Sequence, residues 1–201
     1  MIIESEQQLR AIYGFAKGRA VDKQLSELEF HSKNFINHSP FVLLSTYSKN
    51  AKVDCSPRGG ELGFVKIVDN NKIIIADSKG NNRLDSLVNI IETKQIGCLF
   101  LIPGVDETLR VNGSALISTA PEYLDLFVNN KQIPKSCIEI TINEVFLHCA
   151  KALMRSKLWS EALQLQRSDF PSMGQMINDQ LGLNEKIESQ TDMVSRYIKD
   201  I

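Results

Sequence analysis

Short apolar segments separated by turn residues dominate the chain after position 40. Ser-Lys-Asn, Pro-Arg-Gly-Gly and Asp-Asn-Asn separate the first four of them, and a Pro-Gly turn separates two later ones. Turn residues at this spacing are typical of antiparallel strands joined in a meander. The predicted strands are residues 41–47, 51–55, 63–68, 72–76, 96–102, 108–118 and 136–147. The pattern therefore predicts an antiparallel, barrel-like sheet of six or seven strands.

Helical signals precede these strands. Ser5 and Gln8 fit a capping box, which predicts a short first helix. A second helix is predicted from Asp22 and must end by Ser39, because Pro40 disfavours helical geometry in the residue before it.

Helical periodicity returns between the fourth and fifth predicted strands. Asn81 or Asn82 can cap the start of this helix. Its predicted apolar stripe consists of Leu84, Leu87, Val88 and Ile91. Another capping box, at residues 119–122, carries a proline inside the first turn and predicts a helix through Phe127.

The length of 201 residues suits one domain, residues 1–201, with helical appendages. Within it we expect N-terminal helices in residues 1–39, a barrel in residues 40–159, and a helical extension in residues 160–201. Helices of the extension are predicted near residues 172–180 and 191–199. With 43% hydrophobic and 23% charged residues, the composition is close to the globular average and argues against disorder.

Charge, apolar patterning and cysteine spacing also indicate which binding partners and which cellular location to expect. With 23 basic and 24 acidic residues, the chain has no global electrostatic footprint for nucleic acid, so a bound anion needs a local cluster. The longest apolar stretch, residues 96–105, is broken by glycine and proline and falls short of the ~20 residues that span a membrane. The acidic N-terminus does not resemble a secretory signal, and four widely spaced cysteines favour reduced thiols in a cytoplasmic protein.

Several common chemistries lack their motifs. The glycine cluster at residues 59–63 lies between two predicted strands, whereas a dinucleotide fingerprint opens a helix. The sequence has no G-x-S-x-G motif, so it does not indicate the nucleophilic serine that an esterase triad requires. His31, His38 and His148 never show the i,i+4 spacing of paired metal ligands, so no metal site is predicted.

Residues 77–84, Asp-Ser-Lys-Gly-Asn-Asn-Arg-Leu, are the most informative segment. Here a strand ends, a glycine permits a tight turn, and a helix begins with small polar residues. The free N–H groups of a helix start attract anions, and Lys79 and Arg83 lie on either side of it. A solvated helix cap with a charged flank is the alternative interpretation.

Two more groups of cations accompany this segment. Arg58 follows a proline at a predicted hairpin end, where it could project towards a neighbouring cleft or remain a surface turn residue. Lys151, Arg155 and the single tryptophan, Trp159, could line a pocket rim where the indole covers a flat ring. The alternative for this third cluster is an amphipathic helix whose cations flank an apolar face.

The ordered set of motifs resembles the pyridoxamine 5′-phosphate oxidase-like superfamily of FMN-binding split barrels, in a bacterial branch with an S-P-R-G turn. The resemblance covers roughly residues 41–159. The segments that carry it are residues 41–46 (Phe-Val-Leu-Leu-Ser-Thr), 54–59 (Asp-Cys-Ser-Pro-Arg-Gly), 80–87 (Gly-Asn-Asn-Arg-Leu-Asp-Ser-Leu), 100–104 (Phe-Leu-Ile-Pro-Gly), 107–113 (Glu-Thr-Leu-Arg-Val-Asn-Gly) and 148–152 (His-Cys-Ala-Lys-Ala).

The resemblance implies a six-stranded antiparallel Greek-key split barrel with flanking helices, which dimerises and binds FMN across the subunit interface. The family's phosphate-binding Arg-Lys pair falls on Asn82 and Arg83, so Lys79 or Arg58 would supply the missing charge. The family's glutamine near the flavin ring falls on Thr108, whose hydroxyl can still donate a hydrogen bond.

The function implied is that of a flavin-dependent oxidoreductase acting on a small substrate. Arg110 or Lys151 near the pyrimidine edge would stabilise the reduced ring. An Arg-x-His element that grips substrate phosphate in true pyridoxine phosphate oxidases has no match in residues 189–201, which argues against that substrate. The alternatives are a non-enzymatic flavin carrier or sensor and a deazaflavin-dependent reductase, and catalytic residues are not assigned.

Overall fold

The apolar segments after position 40 form one antiparallel sheet in the computed structural model, which describes residues 2–199. Its strands lie in the order β2-β1-β5-β6-β7-β4-β3, so β2 and β3 form the two edges. The strands are β1 (Phe41–Tyr47), β2 (Val53–Gly59), β3 (Val65–Ile67), β4 (Lys72–Ala76), β5 (Gln95–Leu101), β6 (Thr108–Ser118) and β7 (Cys137–His148). This open, seven-stranded sheet confirms the mainly-β split-barrel prediction, with one strand more than the six that the resemblance implied.

Helices precede the sheet, interrupt it and follow it. They are α1 (Glu6–Tyr13), α2 (Arg19–Asp22), α3 (Phe30–His38), α4 (Asp85–Thr93), α5 (Pro121–Leu124), α6 (Lys151–Ser156), α7 (Met173–Leu181) and α8 (Gln190–Tyr197). The predicted cap of α1 is confirmed, since the Ser5 hydroxyl accepts from the Gln8 N–H at 3.2 Å. Helices α7 and α8 lie within two residues of their predicted bounds at each end.

Alternation along the strands gives the sheet two unlike faces. In β1, Val42 and Leu44 are fully buried while Phe41 and Ser45 are exposed. The buried side, called here the inner face, packs against α3 and α4. The core formed between them includes Leu28, Ile36, Ile73, Ile75, Ile90, Phe100, Leu109, Val111, Ile138, Ile140 and Val145. Each such fully buried large side chain contributes roughly 1.5–3 kcal/mol. The opposite side, called here the outer face, carries Phe41, Leu43, Ser45, Gly97, Leu99, Arg110, Asn112, Glu144 and Phe146.

The second predicted helix begins later than expected. Helix α3 starts at Phe30, and Glu29 caps it by accepting from the N–H groups of His31 and Ser32 at 2.7 Å each. The predicted start at Asp22 is wrong because residues 23–28 are held by the sheet instead. Leu25 exchanges two backbone hydrogen bonds with Val145 of β7, at 2.8 and 3.0 Å. Residues 23–28 are called here the N-terminal strap.

The S-P-R-G segment is part of a strand and not of a turn. Strand β2 runs to Gly59, which pairs with Phe41 across β1. The predicted strand at residues 51–55 therefore lies too early, and Arg58 lies within an edge strand, paired with Val42, instead of at a hairpin end.

Helix α4 begins at Asp85, after a residue in the left-handed region, Leu84, with φ 59°. No side chain among residues 2–199 caps it, so the predicted cap by Asn81 or Asn82 is wrong. The Asn81 side chain instead accepts from the N–H of Arg83 at 3.1 Å and closes a turn before the helix. The predicted stripe is also wrong in part, since Leu84, Val88 and Ile91 are about half exposed and the buried face consists of Ser86, Leu87, Asn89 and Ile90.

The capping box predicted at residues 119–122 does not form. The N-cap of α5 is Ala120, and its N–H donates to the Ser118 hydroxyl at 3.1 Å. Pro121 does open the helix, and a 3₁₀ turn continues it through Phe127, as predicted.

Candidate functional site

One half-buried carboxylate, that of Asp54, ties α4 to the edge of the sheet. Asp54 on β2 accepts from the hydroxyl of Ser86 at 2.5 Å and from that of Ser56 at 3.0 and 3.1 Å. Thr46 on β1 lies 3.4 Å from the same carboxylate and accepts from the amide of Asn89 at 3.0 Å. Buried polar groups need such partners, so this network fixes where the loop before α4 lies relative to β2.

The loop between β4 and α4 carries two cations, Lys79 and Arg83, and the edge strand β2 carries a third, Arg58. These three residues are called here the basic edge. Burial raises the pKa of the Asp77 carboxyl while the nearby Arg58 guanidinium lowers it, which places Arg58 beside the start of the loop. Arg58 also donates to the carbonyl of Pro57 at 2.8 Å. Arg83 donates through Nε to Asp85 at 2.8 Å, and its side chain is 73% exposed. Arg58 of β2 and the start of this loop therefore lie near each other, and the Asp54–Ser86 hydrogen bond joins β2 to the helix that follows the loop.

The start of α4 offers anion-binding geometry next to the basic edge. Because no side chain among residues 2–199 caps α4, its first N–H groups remain available to a ligand. Asn82 and Leu84 both have positive φ, 58° and 59°, so the backbone turns sharply just before the helix. Two guanidinium groups beside an uncapped nine-residue helix fit a phosphate group.

A second polar group occupies the centre of the outer face. Glu144 accepts from Arg110 at 3.1 Å and from Asn112 at 2.5 Å through one oxygen, and from Gln24 of the strap at 2.7 Å through the other. The Arg110 guanidinium stacks 4.1 Å above the ring of Phe146. Its Nε is buried and has no hydrogen-bond partner within residues 2–199. A buried donor without an acceptor is costly and indicates that a partner is still to be supplied.

The two polar groups lie on opposite faces of the sheet. Arg58 pairs with the fully buried Val42 and so shares the inner face, whereas Arg110 pairs with Leu99 on the outer face. Strands β2 and β6 are three positions apart in the sheet, which separates them by roughly 14 Å. A ligand that binds one face of a single subunit would therefore meet only one of the two arginines.

An open groove of about 630 Å³ runs beside Arg110 on the outer face. Its lining includes Ser45, Tyr47, Cys55, Gly97, Asn112 and Glu144. Gly97 keeps the floor open, because a β-carbon there would lie 3.1 Å from the side-chain oxygen of Asn112. This groove was not foreseen, since its floor depends on the register between β1, β5 and β6.

The C-terminal candidates lie on α6 and just after it, beyond the end of β7. Lys151 and Arg155 are exposed on α6. Trp159 donates its indole N–H to the carbonyl of Val105 at 2.9 Å, which fixes it against the turn between β5 and β6. Trp159 also lines a cavity of about 360 Å³ together with Gly104, Asp106 and Leu153.

Thr108, the residue at the position of the family's glutamine, is 5% exposed at the start of β6. It pairs in register with His148 at the end of β7. Thr108 thus lies two residues before Arg110 on the same strand, closer to the outer-face group than to the basic edge.

Residues 2–199 offer neither a cluster of metal ligands nor a membrane-spanning helix. That part of the chain contains no group of three or more His, Cys, Asp or Glu side chains placed to hold a metal ion. Within it, too, every helix is too short or too polar to cross a membrane. All four cysteines are free, and Cys98 and Cys137 are buried.

Of the residues in these two networks, the sequence analysis selected only Arg110. Asp54 and Asn112 stand inside motifs that carry the resemblance, but Arg58 was selected in the first motif and Thr108 and Arg110 in the second. Glu144 and Gln24 carry no local signal, because they meet only when the strap crosses β7.

Comparisons with known proteins agree with this fold. The family model described as pyridoxamine 5′-phosphate oxidase matches residues 28–149, which include all seven strands but the strap only at its last residue. HupZ from Group A Streptococcus is 16% identical over 60% of this chain and 93% of its own, with a TM-score of 0.51. At this identity the likeness concerns the fold alone.

Two further solved structures are similar at lower scores. A putative pyridoxamine 5′-phosphate oxidase from Lactobacillus delbrueckii is 15% identical over 61% of this chain and 99% of its own, with a TM-score of 0.46. The General Stress Protein 26 from Bacillus anthracis is 15% identical over 57% of this chain and 88% of its own, with a TM-score of 0.44. No curated protein matches the sequence. Because the family model spans more than half of the chain, this protein belongs to the pyridoxamine 5′-phosphate oxidase family.

Proposed function

We propose that the protein binds FMN and acts as a flavin-dependent oxidoreductase on a small substrate. The observation that carries the proposal is the match of residues 28–149 to the pyridoxamine 5′-phosphate oxidase family, which spans the whole sheet and α4. The basic edge adds a place for the one strongly charged part of FMN, its phosphate.

The phosphate anchor is assigned to the basic edge and the start of α4. Arg83 and Arg58 would pair with the phosphate, Lys79 would add charge, and Asn82 would shape the turn that presents them. Among the ion pairs of residues 2–199, Arg83 takes part only in the one with the exposed Asp85. Solvent weakens this ion pair, so the phosphate dianion can displace it. The Asp54 network holds the loop in place, so little ordering is needed when the ligand arrives.

The ring contacts are assigned to Thr108, Arg110, Lys151, Arg155 and Trp159. A bound flavin would supply hydride or electron transfer, while these side chains bind and orient its ring. Because Arg58 and Arg110 lie on opposite faces, ring contacts and phosphate contacts would come from two copies of the chain. This favours a homodimer with the cofactor at the subunit interface.

The outer face suits such a dimer. Phe41 is 37% exposed and lies beside the half-buried Leu43, Leu99 and Leu101, which form an apolar area on β1 and β5. Contiguous apolar surface of this kind marks an interaction site, and two-fold pairing is the commonest arrangement of soluble homo-oligomers.

Arg83→Ala tests the phosphate assignment. Removing one charged hydrogen-bonding partner should weaken FMN binding by roughly 10- to 150-fold, measured by quenching of flavin fluorescence. Riboflavin, which has no phosphate, should bind the variant as it binds the original protein. Arg83→Lys should recover part of the loss, because a point charge cannot reproduce the two-pronged geometry of arginine.

Arg10→Ala is the matched control. Like Arg83, Arg10 is an arginine that reaches solvent and pairs with a carboxylate close by in the sequence, here Glu6 at 3.2 Å. The FMN affinity of this variant should not change. Equal losses of FMN and riboflavin affinity in Arg83→Ala would contradict the phosphate assignment and give Arg83 a role in the fold.

Turnover separates an enzyme from a carrier. For an oxidoreductase, NADH or NADPH should bleach the bound flavin and a candidate acceptor should restore its absorbance. A flavin that stays oxidised with either nucleotide would favour the carrier or sensor alternative.

A further inference from the structure

Three nitrogen-bearing side chains surround the ring of Phe146 on the outer face. The Arg110 guanidinium lies 4.1 Å and the Lys23 ammonium 5.2 Å from the ring centre. The His148 ring lies 4.9 Å from the same ring, tilted by 48°. These groups come from β6, the N-terminal strap and β7, so only the folded chain brings them together.

Donors remain free in this cluster. Lys23 donates to the carbonyl of Leu147 at 2.7 Å and has two further N–H bonds. The Nε of Arg110 is buried without a partner within residues 2–199, while one of its terminal nitrogens holds Glu144. Glu144 is the carboxylate that faces the cluster, and it is shared with Asn112 and Gln24. Two fixed positive charges therefore face one fixed negative charge.

The cluster is also reachable from solvent. The Arg110 side chain is 39% exposed, Lys23 is exposed, and Phe146 and His148 are half-buried. A partly desolvated set of donors with an excess of positive charge favours an oxyanion.

We propose that Lys23, Arg110 and His148 form an anion-binding site that takes the carboxylate or phosphate group of a small ligand. The strap is essential to this site, because it supplies Lys23 and, through Gln24, helps to hold Glu144 and hence Arg110. Lys23 and Gln24 lie outside the part of the chain that the family model matches.

Protonation of His148 should be coupled to anion binding. Burial lowers the pKa of His148, and the charges of Arg110 and Lys23 lower it further. A bound anion offsets both positive charges and favours the imidazolium, so it should raise this pKa and bind more tightly as the pH falls.

The three histidines of the chain make a direct test possible. The full-length, FMN-free protein labelled with ¹⁵N-histidine gives ring signals from His31, His38 and His148, and His148→Gln identifies the third. Inorganic sulfate is the probe, because it resembles phosphate and does not titrate in the range of histidine. Sulfate should raise the titration midpoint of His148 by roughly one pH unit and leave the other two in place.

Lys23→Ala should weaken the sulfate effect by roughly 10-fold, since a charged donor is lost. Lys33→Ala is the matched control: Lys33 is held by Asn70 at 2.6 Å, away from the cluster. Sodium chloride at equal ionic strength controls for screening. Equal shifts of all three histidines, or no shift of His148, would overturn the proposal. So would a His148 midpoint that follows protein concentration but ignores sulfate, which would assign the cluster to the subunit interface.

Loading the protein with a flavin before the sulfate titration distinguishes two sources of the oxyanion, the phosphate of FMN and a separate ligand. If FMN places its phosphate in this site, loading with FMN but not with riboflavin should shift the titration midpoint of His148, and sulfate should then add nothing. The assignment of the FMN phosphate to the basic edge would then be wrong. If it holds a separate ligand, the sulfate shift should persist in FMN-loaded protein. Either result supports the site, and the FMN-free titration stands whether or not the flavin proposal is correct.

Discussion

Gly113 sets the alignment of the outer-face group. The register of β6 against β7 shifts between Asn112 and Gly113, so that Asn112 pairs with Glu144 and Gly113 with Ile142. This bulge brings Glu144 opposite Asn112, within reach of Arg110. A β-carbon on residue 113 would overlap the carbonyl oxygen of Thr141, so only glycine fits there without a shift of the backbone.

Gly113→Ala should lower the free energy of unfolding by about 1–3 kcal/mol, because the strands must separate to admit the methyl group. Urea unfolding followed by circular dichroism measures this change. Gly80→Ala is the control, since a β-carbon there meets open space. If the two variants are equally stable, the close approach at Gly113 does not constrain the sheet.

At this scale the sequence allowed the cations to be chosen but not their partners. Arg83 and Arg110 stand in recognisable motifs, and their charge suggests an anion. Glu144 could not be recognised as a partner of these cations from the sequence, because the bulge changes which residues of β7 face outward. Local alternation cannot reveal such a change, because the extra residue is defined only by pairing with β6.

At the scale of elements, the cap of α3 couples helix stability to pH. Burial raises the pKa of Glu29, but hydrogen bonds from His31 and Ser32 outweigh it, so the net pKa lies below its ordinary value of 4.5. A lowered carboxyl pKa stabilises the fold above pH 4.5 and loses this contribution as the pH falls through the folded value.

Glu29→Ala should therefore cost about 0.5–2 kcal/mol of unfolding free energy at neutral pH, the usual value of an N-cap. The difference from the original protein should shrink in acid, as measured by urea unfolding at several pH values. Ser5→Ala removes a similar cap from α1, whose residues are all exposed or half-buried, and should barely change global stability. A Glu29→Ala deficit that is the same at every pH would contradict the carboxylate cap.

The elements differ in how far they could be predicted. Strands β1, β4 and β6 have the predicted bounds, because turn residues and alternation mark both ends. The buried face of α4 was misjudged because two polar residues, Ser86 and Asn89, point inward to Asp54 and Thr46. Hydrophobic periodicity cannot anticipate a buried face that is built on hydrogen bonds.

At the scale of the whole molecule, the sheet order joins distant parts of the chain. The neighbours β1–β5 and β4–β7 pair across more than 40 residues, and no local pattern specifies which strands meet. The family resemblance supplied the split-barrel topology, whereas the residues themselves indicated only an antiparallel, barrel-like sheet and its strands. The division of the predicted cofactor residues between two faces emerged from this order, and it is the structural reason to expect two chains around each flavin.

Size-exclusion chromatography with light scattering and flavin absorbance tests the central claim most directly. Protein saturated with FMN and then separated from free FMN should elute at twice the mass of one chain, with one FMN per chain. A peak that carries no flavin, after saturation at any practical concentration, would contradict the account.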